Sequence, residues 1–478
     1  MYQERPQTRA SGLVNRSNTA ALILIVNRMI RILSGCLVLL ISGGAQALDF
    51  DEARHLLSRT GFGATEAEIR ALMPLDHRQA VSRLLDGVRT EAVTPPPKSL
   101  YEDRPDPRRW KGLSLEERKA LRERRHRVAM ELVAWWYREM IDTPSPLTER
   151  MTLFWHNHFT SSLQKVKSPL LMYRQNLLLR RHALGSFRDL LHAIARDGAM
   201  LLYLDGQNNR KGNPNENFAR ELLELFTLGE GHYSEQDVKE AARAFTGWRV
   251  DRRDGSVRRV RRHHDDGLKT FLGRRGYFDG DDIILQQPRV ALHITEKLWR
   301  EFVSDTPDPA EVQRIAQIFR DSDYRIRPLM EALLDTPRFR APGNRGTLIK
   351  SPVELLVGVV RLFRLPVEDP VLLVKAGRRL GQVPMNPPNV KGWPGGTRWI
   401  TSQTLLARQQ LLQRLLRGKE MGSAATMEPG GAMETLLNDE DTLRRILLPI
   451  PPVNPMPTTR KGRERLARLI LDPVFQLK

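Results

Sequence analysis

The segment Trp155-His156-Asn157-His158-Phe159 sets two imidazoles two residues apart, a spacing that invites metal binding or proton transfer. On an α-helix, at about 100° per residue, the two rings diverge by about 160° and cannot share an ion. In an extended segment, positions i and i+2 face the same way and could. On a helix His158 falls with Leu147, Met151, Phe154 and Trp155 on an apolar stripe, and His156 falls with Glu149 and Thr152. A buried imidazole has to find a partner or lose stability. The plain reading of His158 is therefore a core histidine bonded to a neighbouring element, and the functional reading is a proton-transfer group.

The stretch from Asn213 to Gly229 reads as a helix over 214–228, capped by Asn213, opened by Pro214, with a capping box through Glu216 and an end at Gly229. Glu216, Asn217, Arg220, Glu221 and Glu224 share one arc of about 140°, opposite Phe218, Leu222, Leu225 and Phe226. Arg220 lies four residues from both Glu216 and Glu224. The arc is either a solvated salt-bridge ladder or an inward face whose carboxylates bind a divalent metal or move protons.

A third cluster, His263-His264-Asp265-Asp266-Gly267-Leu268-Lys269, combines imidazoles, carboxylates and an amine in a loop. Ten Lys and Arg residues fall between Arg249 and Arg275, so the same stretch reads as an anion-binding rim or as a solvated basic hairpin. In Gln382–Gly396, Pro and Gly fix an irregular loop, in which Trp393 and the nearby Trp399 either stack on a ligand such as a sugar or anchor the loop. Three negative charges and one positive on the 214–228 arc are costly to bury uncompensated. The expectation is one pocket in which that arc meets His158 and the His264–Lys269 loop. Its catalytic candidates are His158, Glu216, Arg220, Glu221, Glu224, His264, Asp265 and Lys269, with Trp393 and Trp399 on the substrate.

Helices have to position these groups. Asp51–Leu57 and Thr65–Leu72 read as short helices joined by Gly61-Phe62-Gly63, the second opened by a Thr65/Glu68 capping box. A long charged helix follows from about Leu115 to Ile141, and Ser145-Pro146 and Ser351-Pro352 each mark a helix start. The exception is 247–285, where Asp254-Gly255 between Arg249–Asp251 and Val257–Arg261 predicts a hairpin. The fold class is mainly α, a multi-helix globular array with a small β-hairpin insertion around 247–285. Residues 93–108 read as an exposed linker, 48–420 as the helical domain, 421–434 as a flexible linker and 435–478 as a C-terminal segment. No internal repeat and no Gly-rich phosphate loop is present.

The N-terminus reads as an export signal. Arg28 and Arg31 precede the apolar run Ile32–Ile41, and Ala45-Gln46-Ala47 is an A-x-A cleavage site, giving a signal peptide over 1–47 with a start at Met1 or Met29. Leu33-Ser34-Gly35-Cys36 resembles a lipobox, but the arginines interrupt the apolar run ahead of it. Cys36 is the only cysteine, so cleavage after Ala47 leaves a cysteine-free mature chain without disulfides or thiolate zinc sites. The formal charge is +20; residues 1–47 contribute five Arg and one Glu, leaving 20 − 4 = +16. That balance suits an anionic envelope component, whereas nucleic acid is not expected for an exported, periplasmic or extracellular chain.

In their order, these segments resemble the bacterial family catalogued as domain of unknown function 1800. The resemblance rests on Arg54–Gly63, Trp155–Phe159, Asn215–Gly229, His264–Gly273, Lys350–Glu354 and Pro387–Gly396, spanning about residues 50–410. It implies an exported, mostly helical protein without an agreed reaction. It also implies a working partner from another exported family of unknown function, numbered 1501. The positions that match family motifs are His156, His158, Glu216, Asn217, Arg220, Glu221, Glu224, His264, Asp265, Lys269 and Trp393. Two readings follow: an envelope hydrolase using carboxylates and imidazoles, or a non-catalytic assembly or chaperone-like partner of a neighbouring exported protein.

Overall fold

The structure is a computed structural model that describes residues 46–102, 112–278, 281–416, 439–454 and 462–478. Residues 1–45 of the expected signal peptide and the 421–434 linker lie outside the described residues, as does part of the 93–108 linker. Helices dominate, as the patterning predicts. Besides the short helical turns Leu163–Val166, Asp281–Leu285 and Pro337–Arg340, they are in chain order α1 (Phe50–Thr60), α2 (Glu66–Leu72), α3 (His77–Asp86), α4 (Leu115–Asp142), α5 (Pro146–His158), α6 (Pro169–Arg181), α7 (Phe187–Ala195), α8 (Gly198–Tyr203) and α9 (Asn217–Glu221, continued as a π-helix over Leu222–Thr227). After α10 (Glu235–Ala244) and the strands come α11 (Pro288–Phe302), α12 (Pro309–Asp321), α13 (Ile326–Leu334), α14 (Pro352–Phe363), α15 (Val371–Leu380), α16 (Ser402–Leu416), α17 (Glu440–Leu447) and α18 (Arg463–Leu471).

The helix starts follow local chemistry. Thr65 and Glu68 form the expected capping box on α2, and Ser351 with Glu354 forms another on α14. The long helix α4 is solvated in its first half and buries Leu132, Trp135, Trp136, Tyr137 and Met140 in its second. Between α1 and α2, the Gly61-Phe62-Gly63 turn leans on α14 so closely that a Cβ at Gly358 would lie 2.3 Å from the Phe62 carbonyl oxygen.

Among the described residues the named strands form two hairpins. β1 (Trp248–Val250) pairs antiparallel with β2 (Val257–Arg259), with Val250 opposite Val257, as Asp254-Gly255 predicts. A second hairpin, β3 (Lys269–Phe271) with β4 (Arg274–Gly276), occupies what reads from sequence as loop, so Lys269 stands on a strand. The 214–228 helix also begins later than expected. Arg210 and Asn213 pair as an isolated bridge, and the helix starts at Asn217 with Glu216 at the N-cap, so the expected Asn213/Glu216 capping box does not form; Asn215 Oδ1 accepts from Asn217 N at 3.0 Å. Gly229 ends it as expected, at φ 85°.

One hydrophobic core runs through Ala47–Lys478. α5 crosses its centre buried on every side, Thr148, Glu149, Arg150, Thr152, His156 and His158 included. The C-terminal residues join this core: Lys478 N donates to Leu348 O at 2.8 Å, and Arg408 of α16 donates to Gln476 at 3.0 Å. Among the described residues no helix is long and apolar enough to cross a membrane.

Candidate functional site

A helix leaves its last carbonyls without partners, and α9 offers them to side chains of α5 and α11. His158 Nε2 lies 3.0 Å from Phe226 O. His293 Nε2 lies 3.1 Å from Leu225 O, Lys297 Nζ donates to the same oxygen at 2.9 Å, and Arg289 Nε donates to Leu228 O at 3.1 Å. These acceptors sit in and just after the π-helical turn, a geometry frequent at functional sites. So α9 and His158 do meet, but through backbone oxygens.

The two histidines of α5 point apart, as helical geometry predicts. His156 packs against Trp136 and Trp393 and accepts from Met385 N at 3.1 Å; burial pulls its pKa down to about 3. His158 is stacked among Phe154, Trp155, Phe159 and Phe226. Burial first, and then Lys297 beside it, holds its pKa well below the usual value. Because the Phe226 carbonyl can only accept, the proton sits on Nε2, and Nδ1 accepts from Lys297 Nζ at 3.1 Å. His158 is thus a neutral ring with both nitrogens engaged.

Beside this pair opens a cavity of about 570 Å³ walled by α5, the end of α11 and the residues after it, the 348–354 stretch, the Lys391–Trp399 loop and Lys478. Six cationic residues line it (Arg150, Lys297, Arg300, Lys391, Arg398, Lys478) against three acidic ones (Glu301, Asp305, Glu354). Its floor is neutralised internally: Arg150 pairs with Glu301 and Glu354, and Lys478 pairs with Glu354. Burial would raise the Glu354 pKa, but Arg150 and Lys478 outweigh it and hold the carboxyl below its ordinary range. The excess positive charge therefore lies on the walls. Lys391 and Arg398 are exposed and make no ion pair among the described residues.

The Lys391–Trp399 loop owes its shape to Asn157. Asn157 Oδ1 accepts from Trp393 N at 2.7 Å, and Gly392, at φ 79°, passes so close that a Cβ would lie 2.2 Å from that oxygen. Trp393 and Trp399 are 6% and 8% exposed, so each anchors the loop while part of it walls the cavity. Stacking and anchoring are both built in.

The expected single pocket is not built. Of the sequence candidates His158, Trp393 and Trp399 line this cavity; Glu216, Arg220, Glu221, Glu224, His264, Asp265 and Lys269 do not. Arg220 instead bridges Glu216 at 3.2 Å and Glu235 of α10 at 2.7 Å, and Tyr233 donates to Glu224 at 3.0 Å. Partial burial and then Glu224 push the Glu221 carboxyl up, with Lys391 opposing. The third cluster ties its own loop to α10. Asp265 pairs with Arg243 at 2.8 Å, the His264 ring lies between Thr246 and Arg259, and buried Lys269 donates to the carbonyls of Asp265 and Gly267. The physical reason is that each cluster finds compensation nearby and needs no help from the others. Among the described residues no group of three or more His, Cys, Asp or Glu is placed to hold a metal ion.

One family model, described as protein of unknown function (DUF1800), matches residues 55–477. The chain belongs to that family. The DUF1800 match runs beyond the quoted motifs to residue 477, one short of Lys478, which lines the cavity. No curated protein and no solved structure matches the chain. Sequence reasoning missed Arg150, Lys297, Arg300, Glu301, Asp305, Glu354, Lys391, Arg398 and Lys478, which line the DUF1800 cavity. The one available signal was Lys391-Gly392-Trp393, a cation and an aromatic flanking a glycine; α11 reads simply as an amphipathic helix.

Proposed function

We propose that this chain is exported to the cell envelope and binds an anionic, saccharide-bearing envelope component in the cavity beside α5 and α11. The carrying observation is the lining: six cationic residues against three acidic ones, with two tryptophans on the wall. Unpaired exposed cations attract anions, and aromatic faces suit sugar rings. A hydrolase that uses His158 as acid or base draws no support from a ring whose two nitrogens are already engaged.

Titration of the mature protein with charged and neutral oligosaccharides of equal length, followed by tryptophan fluorescence, tests this. Anionic ligands should quench and neutral ones should not. Lys391→Ala with Arg398→Ala should weaken binding about tenfold or more, equivalent to about 1.4 kcal/mol. Equal response to neutral and anionic ligands would sink the reading.

A second reading, a non-catalytic partner of an exported protein of family 1501, is favoured by one observation. The Arg220 and Asp265 clusters are spent on the fold's own ion pairs. On that reading the two proteins co-purify, and the Lys391/Arg398 double variant leaves the complex intact.

A further inference from the structure

Lys297 is held as few lysines are. Its Nζ donates to Leu225 O at 2.9 Å and to His158 Nδ1 at 3.1 Å, and both acceptors are neutral. Among the described residues it has no carboxylate partner: Glu301 and Glu354 are taken by Arg150, and Glu296 by Arg289. The charged and titratable groups around it are His293, Glu296, Arg300 and Glu301 on its own helix, His158 and Arg150 on α5, and Asp305, Glu354, Lys391, Arg398 and Lys478 on the shared cavity wall. Burial, and then Arg300, pull its pKa from 10.5 down to about 8.

The geometry gives the neutral amine a direction. Its two N–H bonds go to Leu225 O and His158 Nδ1 and the chain carbon takes a third position. The lone pair of the tetrahedral nitrogen is left with the fourth, and Lys297 lines the cavity. Lysines of lowered pKa without a counter-ion are the ones that act as nucleophiles toward carbonyls.

We propose that Lys297 is an amine nucleophile that forms an imine with an aldehyde or ketone carbonyl of the ligand held in this cavity. The open-chain reducing end of a sugar is one such carbonyl. The nitrogen lone pair attacks the carbonyl carbon, the C=O π pair moves to oxygen, and one of the two nitrogen protons transfers to that oxygen to give a neutral carbinolamine. Loss of the nitrogen proton and of the hydroxyl as water forms C=N. Water reverses the step, and nothing is oxidised or reduced. His158 acts as a positioning residue that fixes where the amine points. The inference rests on the proposed function only in taking this cavity as the ligand site; it does not require the ligand to be anionic.

The test incubates the full chain with pyridoxal 5′-phosphate or with phosphate-free pyridoxal, reduces with borohydride, and maps modified lysines by mass spectrometry from pH 6 to 11. Lys297 should be labelled about tenfold or more faster than ordinary lysines, whose pKa is about 10.4, with a half-maximal rate near the value of about 8 that its burial sets. Lys297→Arg should lose that label and keep the thermal midpoint; should it not fold, the wild-type pH profile decides alone. Selective labelling by both probes at equal rates supports the imine while counting against an anionic ligand, and a faster phosphate probe supports both. Labelling of Lys297 no faster than of surface lysines, or a half-maximal rate above pH 10, overturns the inference whatever the oligosaccharide titrations show.

Discussion

Glu149 on α5 and Arg180 on α6 face each other through two contacts of 2.8 Å, with side chains 1% and 0% exposed. Trp136 of α4 donates to the same carboxylate at 2.9 Å, so three helices are joined at one charged point inside the core. Removing one partner leaves the other charge buried and unpaired. Glu149→Ala should therefore cost about 3–5 kcal/mol in denaturant unfolding, and Glu149→Met with Arg180→Met much less. A single variant that loses under about 1 kcal/mol would show that water reaches this pair.

Acid should unfold the protein from pH values where carboxylates are still ionised. His55, His156 and His158 are 4%, 2% and 4% exposed, and burial lowers all three pKa values, His55 to about 2 and His156 to about 3. The unfolded chain binds these protons first, at about pH 6.5. Stability is therefore full above about pH 6.5 and falls as pH drops toward the folded values, by up to about 1.4 kcal/mol per pH unit for each ring. Urea midpoints at pH 7.5 and 5.5 should differ clearly. Equal midpoints would mean that the rings are solvated.

Gly392→Ala should displace the tryptophan loop. The added Cβ meets Asn157 Oδ1 at 2.2 Å and the Asn157 carbonyl oxygen at 2.7 Å, and the φ of 79° disfavours any side chain. Such changes cost more than about 1 kcal/mol. Far-UV circular dichroism should be kept while Trp393 fluorescence shifts and ligand quenching is lost. An unchanged thermal midpoint together with unchanged quenching contradicts the packing described.

Export by cleavage after Ala47 should yield an envelope-fraction chain that begins at Leu48. That residue is 5% exposed, and its nitrogen donates to Leu75 O at 2.9 Å, a bond that a new terminal amine can keep. Sequencing that begins at an acylated Cys36, or a chain retaining residues 1–47, would overturn the cleavage proposed.

Much of the fold was legible because it is written locally. Thr65 with Glu68 and Ser351 with Glu354 encode helix starts within four residues, and Asp254-Gly255 encodes a hairpin within two. The divergence of His156 and His158 follows from helical pitch alone. The start of α9 was not legible because Asn213, a competent cap by type, is drawn into a bridge with Arg210, and the helix starts only at Asn217.

The helical class and the family motifs are legible in the amino-acid string; that Trp393 and Trp399 wall a cavity is not. Tertiary structure alone decided which charges are spent inside the fold and which face a ligand. Periodicity places Glu149, Thr152 and His156 on a face, but a face that meets α4 and α6 is chemically the same string as one that meets water. The cavity takes residues from 150–158, 297–305, 348–354 and 391–399, with Lys478 closing it. Lys297 becomes distinctive only where its amine is desolvated against Leu225 O and His158 Nδ1. Desolvation is a property of what surrounds a group in space, and residues far apart in the chain supply those surroundings.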